Sequence, residues 1–178
     1  MTAVDLFVQR YRTFAAYNAW ANRRLYQAAA LLSEGQYRAE RGAFFGSVHG
    51  TLNHLLVTDR IWMRRITGSG DAPIRLDAIL YETLSELTPA RQAEDARIAT
   101  HIASLGAAEL AADFAYNNTA GQPFVQPLAT VLDHVFNHQT HHRGQVHCLL
   151  SGLMGNAPTP SLDLVMFQRE AGIAVPAA

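Results

Sequence analysis

The chain has 178 residues, a mass of 19.5 kDa and 49% hydrophobic content, which fits one domain able to bury most of its apolar surface and excludes a multidomain machine. A formal net charge of -1 gives no basic footprint for a nucleic-acid backbone, and no basic cluster goes beyond pairs such as Arg23-Arg24 and Arg64-Arg65. All 14 basic residues are Arg, which excludes chemistry on a lysine amine, and the single cysteine, Cys148, excludes an internal disulfide, a CxxC redox pair and a multi-thiolate zinc site.

The first ten residues carry an early Asp and no long apolar core, and nowhere do about eighteen apolar residues run together. The expectation is a cytoplasmic protein in a reducing compartment, with no membrane partner and no nucleic-acid partner.

In chain order, Val4, Phe7, Val8, Tyr11, Phe14, Ala15, Leu25, Ala29 and Leu32 recur at helical spacing, which predicts a long amphipathic helix from Val4 to Leu32. Asn18 and Asn22 fall on its apolar stripe, where a buried amide needs hydrogen-bond partners. A second helix is expected from Ser47 to Thr67, closed by the turn chemistry of 68–73. Thr88-Pro89 reads as an N-cap and first-turn proline, opening a third helix that continues to about Phe114. Turn residues 117–123, flanked by aromatic and β-branched positions, predict a short hairpin. A fourth helix spans Leu128 to Leu153 and stops at Gly155, after which Ser161 is expected to cap a short terminal helix to about Glu170. The fold class is therefore all-α, a four-helix bundle with a hairpin before the fourth helix, in one domain over 1–178.

Five of the eight histidines, His134, His138, His141, His142 and His147, lie on the fourth helix. Residues four apart share a helix face, so His134/His138 and His138/His142 are both spaced for one metal ion. At about 100° per residue, His142 lies about 40° and His138 about 80° from the apolar stripe, whereas His134 and His141 lie about 120° and 140° away. The inward pair is thus His138 and His142. A catalytic zinc typically takes a third protein ligand, which must come from another helix; the second helix offers His49 and His54, and the helical wheel alone leaves that choice open.

Other chemistries lack their parts. Gln139 stands where an HExxH metalloprotease has its general base, and there is no ExxH di-iron motif, no GxSxG elbow and no GxGxxG. Cys148 falls opposite the apolar stripe and reads as a passive residue.

Tyr17-Asn18-Ala19-Trp20-Ala21-Asn22, Thr51-Leu52-Asn53-His54-Leu55-Leu56-Val57-Thr58-Asp59-Arg60-Ile61-Trp62 and Asn137-His138-Gln139-Thr140-His141-His142-Arg143-Gly144-Gln145 together resemble the DinB/YfiT-like superfamily of metalloenzymes over nearly the whole chain. The resemblance implies a four-helix bundle, often a homodimer, holding one divalent metal, commonly zinc or nickel. It places the three ligands on His54, His138 and His142, with His49 the substitute if the second helix is rotated. Relatives in the superfamily include transferases and isomerases that use a low-molecular-weight thiol, so the implied function is metal-dependent chemistry on a small molecule, of thiol S-transferase or hydrolase type. A metal-bound imidazole needs a partner for its other nitrogen, and Asn18, Asn22, Asp59, Arg143 and Gln145 are the candidates. Two readings compete with an enzyme: a metal-binding stress or sensor module without turnover, and a metal-free helical interaction protein.

Overall fold

A computed structural model of the chain describes residues 2–176. Helix α1 (Ala3–Ala29) opens with a reciprocal cap: the Asp5 amide donates to the Thr2 hydroxyl (3.1 Å) and the Thr2 amide donates to the Asp5 carboxylate (2.8 Å). Two of the amides that a helix start leaves unpaired are satisfied this way. A one-turn helix, α2 (Glu34–Arg38), uses the same device between Ser33 and Gln36. Helix α3 (Val48–Thr67) is capped by the Ser47 hydroxyl and ends at Gly68, whose φ of +70° is the left-handed conformation that glycine adopts without steric cost.

Helix α4 (Leu84–Ser104) corrects the sequence expectation at both ends. Its N-cap is Thr83, paired with Glu86 in a capping box, so the helix starts a turn before Thr88-Pro89. Pro89 sits inside the helix, where its missing amide removes one bond to the preceding turn, and Thr88 donates its hydroxyl to the Leu84 carbonyl (2.6 Å). The helix also stops at Leu105, short of Phe114, and Gly106 leads into a separate turn, α5 (Ala107–Ala111). Strands β1 (Asp113–Asn117) and β2 (Pro123–Pro127) pair antiparallel with Ala115 opposite Val125. Helix α6 (Leu128–Met154) follows directly, and α7 (Leu164–Glu170) is preceded by Asp163 rather than capped by Ser161, whose hydroxyl donates instead to the Asp163 carboxylate (3.2 Å).

The four long helices close a ring in which α1 packs on α4 and α6, and α3 packs on α4 and α6. Their interior divides into three layers. At one end Tyr11, Ala15, Met63, Ile98, Val131, Leu132 and Phe136 form an apolar cluster; at the other Leu25, Val48, Leu52, Leu55, Leu56, Leu87, Val146 and Leu150 form a second. Burying each large aliphatic side chain contributes about 1.5–3 kcal/mol.

Between the clusters lies a buried polar layer. Arg91 NH1 is 2.8 Å from Asp59 and its NH2 is 2.9 Å from Asp95, while Asn18 and Asn22 both donate to the Asp95 carboxylate. Gln139 donates to Asp59 and to the Leu55 carbonyl, and Arg143 donates to Asn18 and to Thr140 with its guanidinium over the Tyr17 ring. The two aspartates and two arginines balance in charge, as burial of ions requires.

Among the described residues, no helix is long and apolar enough to cross a membrane.

Candidate metal centre

On the α3/α6 edge of the ring, the structure brings His54, His138 and His142 together, with one ring nitrogen of each lying within 4.8 Å of the others. The His54 and His138 Nε2 atoms are 3.4 Å apart. Two nitrogens bound to one tetrahedral zinc at its usual bond length are about 3.3 Å apart, so this pair is already at ligand spacing, with a His142 nitrogen within 4.8 Å of both. The ring centroids are 5.2 Å apart for His54 and His138, 4.5 Å for His54 and His142 and 4.3 Å for His138 and His142.

Two of the three imidazoles are oriented from behind. The Leu76 carbonyl accepts from His54 Nδ1 at 2.7 Å, and the Gln145 side-chain oxygen accepts from His142 Nδ1 at 2.7 Å. Each bond puts the proton on Nδ1 and leaves the Nε2 lone pair free as a ligand atom. Burial lowers the His54 pKa to about 4, and burial together with the neighbouring histidines lowers His138 to about 3. Burial also lowers His142. All three rings are therefore held neutral at physiological pH, the form a metal requires.

Loops on both sides shape the site. Phe45, on the turn before α3, stacks on His54 with ring centroids 3.6 Å apart and meets His142 edge-on at 5.5 Å. This turn rests against α3 at Gly50, where a Cβ would lie 2.2 Å from the Phe45 carbonyl oxygen, so only glycine admits it. The segment between α3 and α4 folds back because the Asn53 side-chain oxygen accepts from the Leu80 and Tyr81 amides, at 2.9 and 3.1 Å. That clamp delivers the Leu76 carbonyl to His54. His49 joins the same clamp at the Tyr81 carbonyl (3.1 Å), packs edge-on against Tyr37 and stays out of the trio.

Of the residues expected to support the ligands, Gln145 alone hydrogen-bonds a histidine of the trio. Asn18, Asn22, Asp59 and Arg143 belong to the polar layer across the core, where their ion pairs and amide bonds point away from the imidazoles. Sequence reasoning assigned no role to Asn53, Phe45 or the Leu76 carbonyl. His134 and His141 are exposed, as is Cys148. A cavity of about 510 Å³ opens on the opposite, α1/α4 edge and is lined by Asn22, Tyr26 and Arg91; it holds none of the three histidines. The trio is the candidate metal centre because the donor atoms converge there.

The trio contains no carboxylate or thiolate, so a bound dication keeps its full charge. Comparison with known proteins agrees with this architecture. The chain is 28% identical over 142 residues to Protein DinB of Bacillus subtilis (strain 168), an alignment covering 75% of this chain and 80% of that protein. The DinB family model matches residues 5–174, a span that takes in all four long helices and all three histidines, and the chain belongs to the DinB family.

Proposed function

We propose that this protein is a metal-dependent enzyme acting on a small molecule, as a thiol S-transferase or a hydrolase, with one divalent ion, zinc or nickel, held by His54, His138 and His142. The observation that carries the reading is the convergence of three neutral imidazoles, two of them oriented by Leu76 and Gln145, with the His54 and His138 nitrogens at the separation that two ligands of a tetrahedral ion take. Bound to uncharged ligands, such an ion lowers the pKa of a coordinated water or thiol and supplies hydroxide or thiolate near neutral pH.

The chain's own part is to hold and shield. Leu76 fixes the plane of His54 and Gln145 fixes that of His142, which restricts where a fourth ligand enters. Phe45 covers one face of His54 and excludes water from that side. No side chain of the trio is protonated at neutral pH, so none competes with the ion for its own lone pair. A low-molecular-weight thiol is the proposed cosubstrate for the transferase form of the reaction.

Elemental analysis of untagged wild-type protein beside the His138→Ala/His142→Ala double variant tests the site. The expected result is about one metal ion per chain in the wild type and loss of it in the variant. Equal, negligible metal in both overturns the reading. Given metal, turnover on a panel of thiol-transfer and hydrolysis substrates must disappear in His54→Ala, His138→Ala and His142→Ala; activity independent of the metal and of all three histidines refutes an enzyme of this kind.

A further inference from the structure

A continuous strip of rings leaves the trio along the α3/α6 groove toward the hairpin. The His138 ring lies 5.7 Å from His134, His134 lies 5.3 Å from Trp62, and Trp62 lies 5.1 Å from Tyr116 on β1, with the Phe124 ring 5.8 Å beyond. His134 and Phe124 are exposed, and Trp62 and Tyr116 are half-buried, so the strip is reachable from solvent along its length. Above it sits Arg65, with its guanidinium 4.6 Å from the Trp62 centroid and 5.6 Å from that of Tyr116.

Like Arg60 and Arg64 on the same helix, Arg65 has no carboxylate partner among the described residues, and it alone of the three lies over two aromatic rings. Arg91, Arg97, Arg38, Arg24 and Arg10 each pair with a carboxylate, whereas Arg65 is partly desolvated between two rings with no carboxylate within salt-bridge distance among the described residues. The two ring faces compensate only part of the cost of desolvating a guanidinium. Its fork of donors is left free to take a carboxylate in the planar, bidentate manner that suits arginine.

We propose that this strip is the substrate platform of the trio, and that the substrate is a flat, conjugated or aromatic molecule bearing a carboxylate, stacked on Trp62 with the carboxylate on Arg65 and its reacting end toward His138. The assignment of a reacting end rests on the trio being the functional centre, as proposed above; the anion site on Arg65 does not. The order of groups follows from the geometry: two ring-to-ring contacts lead from His138 through His134 to Trp62, and the Arg65 guanidinium lies over Trp62.

Calorimetric titration with 2-naphthoate, its neutral isostere 2-naphthamide and the non-aromatic cyclohexanecarboxylate tests the proposal on wild type, Arg65→Gln and Trp62→Leu. Wild type is expected to bind 2-naphthoate about tenfold more tightly than either comparison compound. Arg65→Gln should erase the preference for acid over amide, and Trp62→Leu should erase that for aromatic over aliphatic acid, while the metal content of both variants stays at the wild-type value. Equal binding of acid and amide by the wild type, an undiminished preference in Arg65→Gln, or no binding of 2-naphthoate overturns the proposal. Metal-loaded wild type that ignores 2-naphthoate sinks the strip alone; wild type that binds 2-naphthoate yet takes up no metal sinks the metal-enzyme reading and leaves the Arg65 anion site standing.

Discussion

Arg91→Met is the sharpest test of how the core is held together. The Arg91 guanidinium is within 2.8 Å of Asp59 and 2.9 Å of Asp95, and side-chain exposures of 2%, 1% and 8% show all three groups buried. Methionine keeps much of the apolar stem but abandons two buried carboxylates to each other. Breaking a buried ion pair on one side costs about 3–5 kcal/mol, because the remaining charge stays desolvated. For a chain of this length each kcal/mol lowers the melting temperature by about 2–4 °C, so the variant should melt roughly 6–20 °C below wild type. Urea denaturation of metal-free protein near neutral pH measures the loss directly. The triple variant Arg91→Met/Asp59→Asn/Asp95→Asn should recover most of it: asparagine removes the charge yet keeps an oxygen to accept from Asn18, Asn22 and Gln139. A loss below about 1 kcal/mol, or a triple variant no better than the single one, refutes the ionic account of this layer.

Three further outcomes separate the proposed metal site from the core. Gln145→Ala removes the acceptor behind His142 and should weaken metal binding about 10–100-fold by competition with a chelating dye, while the far-UV circular dichroism stays unchanged; undiminished affinity would show that the ring needs no such support. Asn53→Ala frees the segment that carries Leu76, so metal affinity should fall and limited proteolysis should cut between α3 and α4; resistance to cleavage contradicts the clamp. Burial pushes the Asp59 carboxyl up from its ordinary 3.8 to about 6 despite the attraction of Arg91. A carboxyl that holds its proton more tightly folded than unfolded favours the fold below its unfolded pKa and loses that contribution as pH rises through its folded pKa. The unfolding free energy of wild type minus that of Asp59→Asn should therefore decline from about pH 4 to about pH 6, and a flat or rising difference overturns the assignment.

Helical period carried most of this architecture into the amino-acid sequence. The long stripes of α1, α3 and α6 match the helices found, and the inward turn of His138 and His142 followed from the wheel of α6. What the stripes hid is instructive. The start of α4 was encoded in the capping box Thr83-x-x-Glu86, but Thr88-Pro89 imitates a helix start because proline is tolerated there as well as, less comfortably, in a helix interior. The short α2 carried a similar box at Ser33 and Gln36, followed by too few residues to show a period. His49 and His54 could not be separated by a wheel because α3 is buried on more than one side, and both imidazoles are indeed buried. Asn18 and Asn22 were legible as buried amides needing partners; that their partner is Asp95 rather than a histidine depends on how α1 and α4 meet, which no single-helix pattern contains. The Leu76 carbonyl left no trace at all, since a backbone acceptor has no residue type.

Helix α6 serves both the histidine trio and the core through one six-residue segment. His138 and His142 form one i, i+4 pair, and Gln139 and Arg143, rotated by about 100°, form the next. The first pair faces the open α3/α6 edge and the second faces the polar layer. Gln139 joins the two, because it donates to the Leu55 carbonyl at 3.0 Å and to Asp59, and so ties α6 to α3 immediately beside the His54–His138 contact. The spacing of His54 and His138 is therefore tied to a bond in the core. Gln139→Glu keeps the shape but replaces the donor with a carboxylate facing Asp59 and a carbonyl, which should push the helices apart. Stability and metal affinity should then fall together, the latter by about tenfold or more, whereas Arg91→Met, which breaks the same layer on the α4 side, should lower stability while leaving metal affinity near wild type. If Gln139→Glu loses stability and binds metal as before, the separation of His54 and His138 is fixed by the loops around Phe45 and Leu76 and not by the helix contact.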